Sequence, residues 1–130
     1  MTNWILENLG TIALIESMTE DGVIIVDVRD LSDVETNVAK VKKKILVISN
    51  LMCIGHRVAV RCVGGINRSN CLAIAAMCYM DPQGDDVDQN WNFHSNWAKM
   101  KVHRLHYTPQ LERTCKKALT ELMRDFNGFQ

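Results

Sequence analysis

The sequence predicts an α/β domain in which a small, mainly parallel sheet is covered by helices. Three observations predict it. Short apolar runs at Val23 to Val28 and Arg57 to Arg61 have the length and β-branched content of buried strands. Longer stretches with apolar residues at helical spacing follow each of them. The 130 residues suit one compact domain spanning residues 1–130, with no internal repeat, linker or low-complexity tract to divide it.

In chain order, residues 10 to 20 read as a short helix with Leu14, Ile15 and Met18 on one face, ended by Gly22. Val23 to Val28 then forms a strand that runs into the polar loop Arg29-Asp30-Leu31-Ser32-Asp33. From Val34 onward, Val38, Val41, Ile45, Ile48 and Met52 recur at helical spacing, with Lys42, Lys43 and Lys44 grouped between them as a solvated face. After Gly55, a strand with Val58 and Val60 on one side leads into Cys62. Asn70 to Met80 is rich in Ala, Leu, Ile and Met, the composition of a buried helix, and Asp81-Pro82-Gln83-Gly84 stops it. A further helix is expected near Trp91 to Met100, with Trp91 and Trp97 packing in the core or around the rim of the functional face. Thr108-Pro109 supplies an N-cap and a first-turn proline, and Leu111, Cys115, Ala118, Leu122 and Phe126 mark one face of the last helix.

Fifteen Lys and Arg balance fifteen Asp and Glu, so no global field favours a nucleic-acid or membrane-surface partner, and anion recognition must be local. No apolar run reaches the roughly 20 residues of a membrane span, and the first residues do not read as a secretion signal. A soluble, cytoplasmic protein is expected. The five cysteines, at 53, 62, 71, 78 and 115, are odd in number and suggest no disulfide framework, which leaves a thiol for chemistry. His103 and His106 lack the partners of a metal site, so neither metal nor cofactor is expected.

The chemistry concentrates in Arg61-Cys62-Val63-Gly64-Gly65-Ile66-Asn67-Arg68-Ser69, between a predicted strand and a predicted helix. Glycines there let the main chain approach a ligand, so successive N–H groups of Val63, Gly64, Gly65, Ile66, Asn67 and Arg68 form a cradle for phosphate or another oxyanion. Cys62 at its mouth meets inward N–H dipoles, the positive end of a helix and Arg68. Comparable settings bring a cysteine pKa to about 3.5–7.5 and produce a nucleophilic thiolate. Arg68 can hold two phosphoryl oxygens in a bidentate fork, and Ser69 can hydrogen-bond the sulfur and ease its departure. Cys, Gly, Arg and Ser at these four spacings arise by chance in this composition roughly once in a thousand such sequences.

Cys62-x-x-Gly65-x-x-Arg68-Ser69 resembles the signature loop of the cysteine-based protein tyrosine and dual-specificity phosphatase superfamily, in particular its compact single-domain members. The likeness covers roughly residues 23 to 80. It implies a phosphocysteine intermediate and an aspartate, from a loop about 30 residues upstream, that protonates the leaving oxygen and then activates water. Asp30 and Asp33 stand 32 and 29 residues before Cys62, and spacing does not separate them, although Asp33 immediately precedes the helix. Asp27 falls inside the strand. The family usually has His where this chain has Arg61, so support for the loop is altered, and the chain reads as short by about one strand.

The resemblance implies hydrolysis of phosphate monoesters, phosphotyrosine and also phosphoserine or phosphothreonine in proteins. The absence of Lys or His between Cys62 and Arg68 argues for phosphoprotein over polyanionic substrates. The alternative is a phosphate-binding module, a pseudophosphatase that keeps the loop without an effective acid.

Overall fold

The computed structural model describes residues 2–14, 21–64, 67–102 and 104–127. Four strands, β1 (Asn3–Leu6), β2 (Leu9–Ala13), β3 (Val23–Asp27) and β4 (Arg57–Cys62), form one sheet in the order β1-β2-β4-β3. β4 pairs in parallel with both β2 and β3, and β1 pairs antiparallel with β2. The helices are α1 (Val38–Cys53), α2 (Arg68–Met80), α3 (Val87–Lys101) and α4 (Pro109–Asn127).

Residues 10 to 13 depart most from expectation. Instead of a helix from residue 10, the chain makes a hairpin whose second strand ends at Ala13; Ile15 and Met18 lie outside the described residues. Leu9 to Ile12 are all buried, and in a strand buried on both faces hydrophobic periodicity cannot tell strand from helix. Pairing across the chain decides it: Leu9 to Ala13 lies in register with Val58 to Cys62, and the Val58 N–H donates to the Asn8 carbonyl at 2.9 Å. Trp4 stands opposite Gly10, where a Cβ would come within 3.0 Å of the indole and 2.8 Å of the Asn3 carbonyl. Only glycine allows that approach.

Helix α1 begins at Val38 rather than Val34, whose side chain is 60% exposed. The reason is local. Glu35 accepts from the Ser32 N–H at 3.2 Å while Ser32 Oγ accepts from the Val34 N–H at 3.1 Å, a reciprocal arrangement like a capping box that closes a turn over 32–35. Asn37 then caps α1, accepting from the Lys40 N–H at 3.1 Å. The apolar stripe Val41, Ile45, Ile48 and Met52 is buried as expected. At the far end Gly55, at φ +97°, supplies the left-handed turn that ends α1.

Helix α2 runs through the interior, buried at every position from Ser69 to Cys78, with the other three helices and strands β2 and β4 packed against it. A helix apolar all round needs such an enclosure. Leu111, Cys115, Ala118 and Leu122 of α4 join the core; the Phe126 side chain lies outside the described residues. Trp91 is fully buried, its Nε1–H donating to the Tyr107 hydroxyl at 3.3 Å. Trp97, by contrast, lines a 280 Å³ apolar cleft with Leu6, Met77, Met80, Asp81, Phe93 and His94. That cleft lies at the C-terminal end of α2, away from Cys62. Among the described residues no helix is long and apolar enough to cross a membrane.

Candidate active site

Three parallel-paired strands end on one side of the sheet, and the segments that leave β3 and β4 build the site, as expected at the carboxyl ends of strands in an open α/β sheet. β4 is flanked by β2 and β3, so Cys62 emerges from an interior strand paired in parallel on both sides. The Val28 N–H donates to the Arg61 carbonyl at 2.8 Å and the Leu14 N–H to the Val63 carbonyl at 3.1 Å, extending both pairings past the strand ends.

Cys62 is 2% exposed, and its Sγ lies 3.3 Å from Ser69 Oγ, which is also buried. Of the expected cradle, Val63 and Gly64 are exposed, Asn67 and Arg68 are half-buried, and Gly65 and Ile66 lie outside the described residues. Asn67 occupies the N-cap position of α2, yet its side chain makes no capping bond to that helix. The first turn of α2 is therefore not served by its cap side chain, the condition under which a helix N-terminus receives an anion.

Arg68 reaches back to the 29–33 loop. Its Nη1 donates to the carbonyls of Arg29 at 3.1 Å and Leu31 at 2.8 Å, and its Nε lies 3.3 Å from Asp33 Oδ1. Asn67 Nδ2 donates to the same Asp33 oxygen at 2.7 Å. Asp30 turns elsewhere, its carboxylate pairing with Lys44 of α1 at 3.0 Å. Of the two aspartates that spacing could not separate, the fold brings Asp33 to Asn67 and Arg68.

Asp27 and Arg61 are register partners on β3 and β4, and Arg61 Nη2 meets Asp27 Oδ2 at 2.8 Å. Arg29 Nε donates to both Asp27 oxygens, at 3.0 and 2.9 Å, and its backbone N–H to one. The Asp27 carboxyl is held well below the usual carboxylate range, chiefly by the Arg29 side chain; burial opposes this, while the Arg29 backbone N–H and Arg61 add to it. The arginine that stands where the resembled family has histidine is thus committed to a carboxylate on the next strand.

Two features were not legible beforehand. Glu35 organises the acidic loop: burial works against its charge, but the N–H groups of Ser32, Asn37 and Thr36 and the charge of Lys40 outweigh it and lower its pKa. The pattern Ser32-x-x-Glu35 is the signal that could have found it. The start of α4 also closes over this loop, Thr108 Oγ1 donating to the Asp33 carbonyl and Thr114 Oγ1 to the Glu35 carbonyl. No local sequence signal announces those long-range bonds.

No protein-family model and no curated protein matches the sequence. Solved structures do match the fold. The leucine-rich repeat and phosphatase domain protein of Entamoeba histolytica superposes with a TM-score of 0.74 at 11% identity, over 95% of this chain and 93% of that one. Tk-PTP in its active form gives 0.64 at 13%, over 92% and 96%. OH1 of the Orf virus, a tyrosine phosphatase with triple substrate specificity, gives 0.61 at 11%, over 93% and 85%. The chain has the fold of the tyrosine and dual-specificity phosphatases, and the match extends to the flanks that the motif alone did not reach.

Proposed function

We propose that residues 1–130 form one catalytic domain that hydrolyses phosphate monoesters in proteins, phosphotyrosine first, through a phosphocysteine. The observation that carries the reading is the convergence of Cys62, Ser69, Arg68 and Asp33 at the ends of β4 and β3 in a phosphatase fold.

The Cys62 thiolate attacks phosphorus, the S–P bond forms and the P–O ester bond breaks, while protonated Asp33 gives its proton to the leaving oxygen. Backbone N–H groups of the 62–69 loop and the Arg68 guanidinium stabilise the equatorial oxygens. The phosphate takes over the Nε contact that Asp33 holds at 3.3 Å, and it does so readily because the Asp33 side chain is 57% exposed. Water then attacks the phosphocysteine as the Asp33 carboxylate accepts its proton. The S–P bond breaks, inorganic phosphate leaves, and the Ser69 hydroxyl, 3.3 Å from Sγ, donates to the returning thiolate.

The closing test is p-nitrophenyl phosphate hydrolysis and release of phosphate from phosphotyrosine peptides by the full chain. Cys62→Ser is expected to lower kcat/KM by about 10⁴-fold or more. Asp33→Asn is expected to lower turnover of a poor leaving group by about 10²-fold, and Asp30→Asn by no more than about twofold. Activity surviving Cys62→Ser sinks the mechanism. Tight oxyanion binding with no turnover by the unmodified chain supports the binding-module alternative instead.

A further inference from the structure

We infer that Asn67, oriented by Thr108, is a positioning residue that fixes the rotation of the Asp33 carboxyl group and assigns its proton to Oδ2. The inference rests on Asp33 serving as the general acid.

Asn67 is a residue type that ordinarily caps the helix it precedes, yet its amide is spent across the molecule. Its Oδ1 accepts from the Thr108 N–H at 3.0 Å, and its Nδ2 donates to Asp33 Oδ1 at 2.7 Å. The two ends of an asparagine amide are chemically distinct, and here the partners choose between them. A backbone N–H can only donate, so the amide oxygen must face Thr108 and the amide NH₂ must face Asp33.

An NH₂ group in turn can only donate, so Asp33 Oδ1 must stay an acceptor. Arg68 Nε, at 3.3 Å from the same oxygen, imposes the same condition. The proton that a general acid delivers is then confined to Oδ2. When phosphate draws Arg68 away, the Asn67 bond remains and keeps the carboxyl from rotating.

The main chain of Asp33 is secured as well. Thr108 Oγ1 donates to the Asp33 carbonyl while accepting from the Leu111 N–H at 3.3 Å. Tyr107, next in sequence, is tied to α3 through Ser95 Oγ at 2.8 Å and the Trp91 indole at 3.3 Å, so Thr108 is delivered from a fixed segment. An acid held by both backbone and side chain loses little orientational freedom on reaction.

The experiment compares kcat/KM for phenyl phosphate, a poor leaving group, and p-nitrophenyl phosphate, a good one. The proteins are wild type, Asn67→Ala, Asn67→Asp and Asp33→Asn. Asn67→Ala is expected to lower the phenyl to p-nitrophenyl ratio by about tenfold. Asn67→Asp keeps the shape and the bond from Thr108 but turns an acceptor towards Asp33. It is expected to lower the ratio at least as far, and it keeps the test open should Asn67→Ala not fold. Equal losses on both esters overturn the inference and leave Asn67 a structural loop residue. An Asp33→Asn enzyme with phenyl phosphate turnover intact instead overturns the acid reading itself, and the inference falls with it.

Discussion

At the junction of β4 with α2, Cys62 is buried beside the Ser69 hydroxyl, whereas within the body of α2 Cys71 and Cys78 are buried in the apolar core. Cys71 Sγ has Cys115 Sγ at 3.6 Å, and Cys78 faces the Asn90 carbonyl at 3.7 Å. Burial pushes the Cys78 thiol up to about 12, and burial followed by the Cys115 contact pushes Cys71 well above the usual thiol range. Solvent exclusion alone therefore makes a cysteine inert. What distinguishes Cys62 is its place at the end of β4, beside the Ser69 hydroxyl in the first turn of α2.

The sharpest way to break this contrast is to make the same change in both places. Cys62→Ser is expected to remove activity while leaving thermal stability close to wild type. Cys71→Ser puts a hydroxyl into an apolar site and is expected to cost about 1–3 kcal/mol in denaturant unfolding, with the folded fraction still active. If Cys71→Ser instead abolished activity in the folded protein, the division between the two regions would fail.

A smaller effect is read by alkylation. With iodoacetamide near neutral pH and mass-spectrometric mapping, Cys71 and Cys78 are expected to stay unmodified in the folded protein, because raised pKa and burial both suppress thiolate. Cys53 is exposed and serves as the reference, and modification of Cys62 is expected to slow when phosphate or vanadate is added. Labelling of Cys78 as fast as Cys53 would contradict the picture.

The smallest effect belongs to the ion-paired strand ends. The folded Asp27 carboxyl has a depressed pKa, so below about pH 4 the unfolded chain binds more protons than the folded one. Its contribution to stability is present above that pH and is lost as pH falls towards the folded value. Asp27→Asn should flatten this part of the curve, read from urea midpoints between neutral and acid pH. A curve identical to wild type would mean that the Arg29 and Arg61 contacts do not survive in solution.

Much of this was legible in the sequence because it depends on neighbours along the chain. The spacing of Cys62, Gly65, Arg68 and Ser69, the stripe Val41-Ile45-Ile48-Met52 and the Thr108-Pro109 helix start are local patterns, and α1, β3, β4, α2 and α4 follow from them with shifts of a few residues. Residues 10 to 13 misled because a strand buried on both faces carries no alternation, although Glu7-Asn8 between two short runs is a hairpin spacing. Val34 misled because its apolar side chain fits the helical period while the Ser32–Glu35 turn keeps it outside the helix.

By itself, the sequence determined the candidate nucleophile, the candidate phosphate clamp and the strand–loop–helix frame that presents them, since those rest on residue chemistry at fixed short separations. Only the tertiary structure decided which aspartate meets Asn67 and Arg68, what Arg61 does in place of histidine, and where the Asn67 amide is spent. Asp33, Thr108 and Asn67 are brought together across 34 to 75 residues of chain. Packing of α1 and α2 on the sheet, and of α4 on those two helices, sets those distances, and no pattern of near neighbours encodes them.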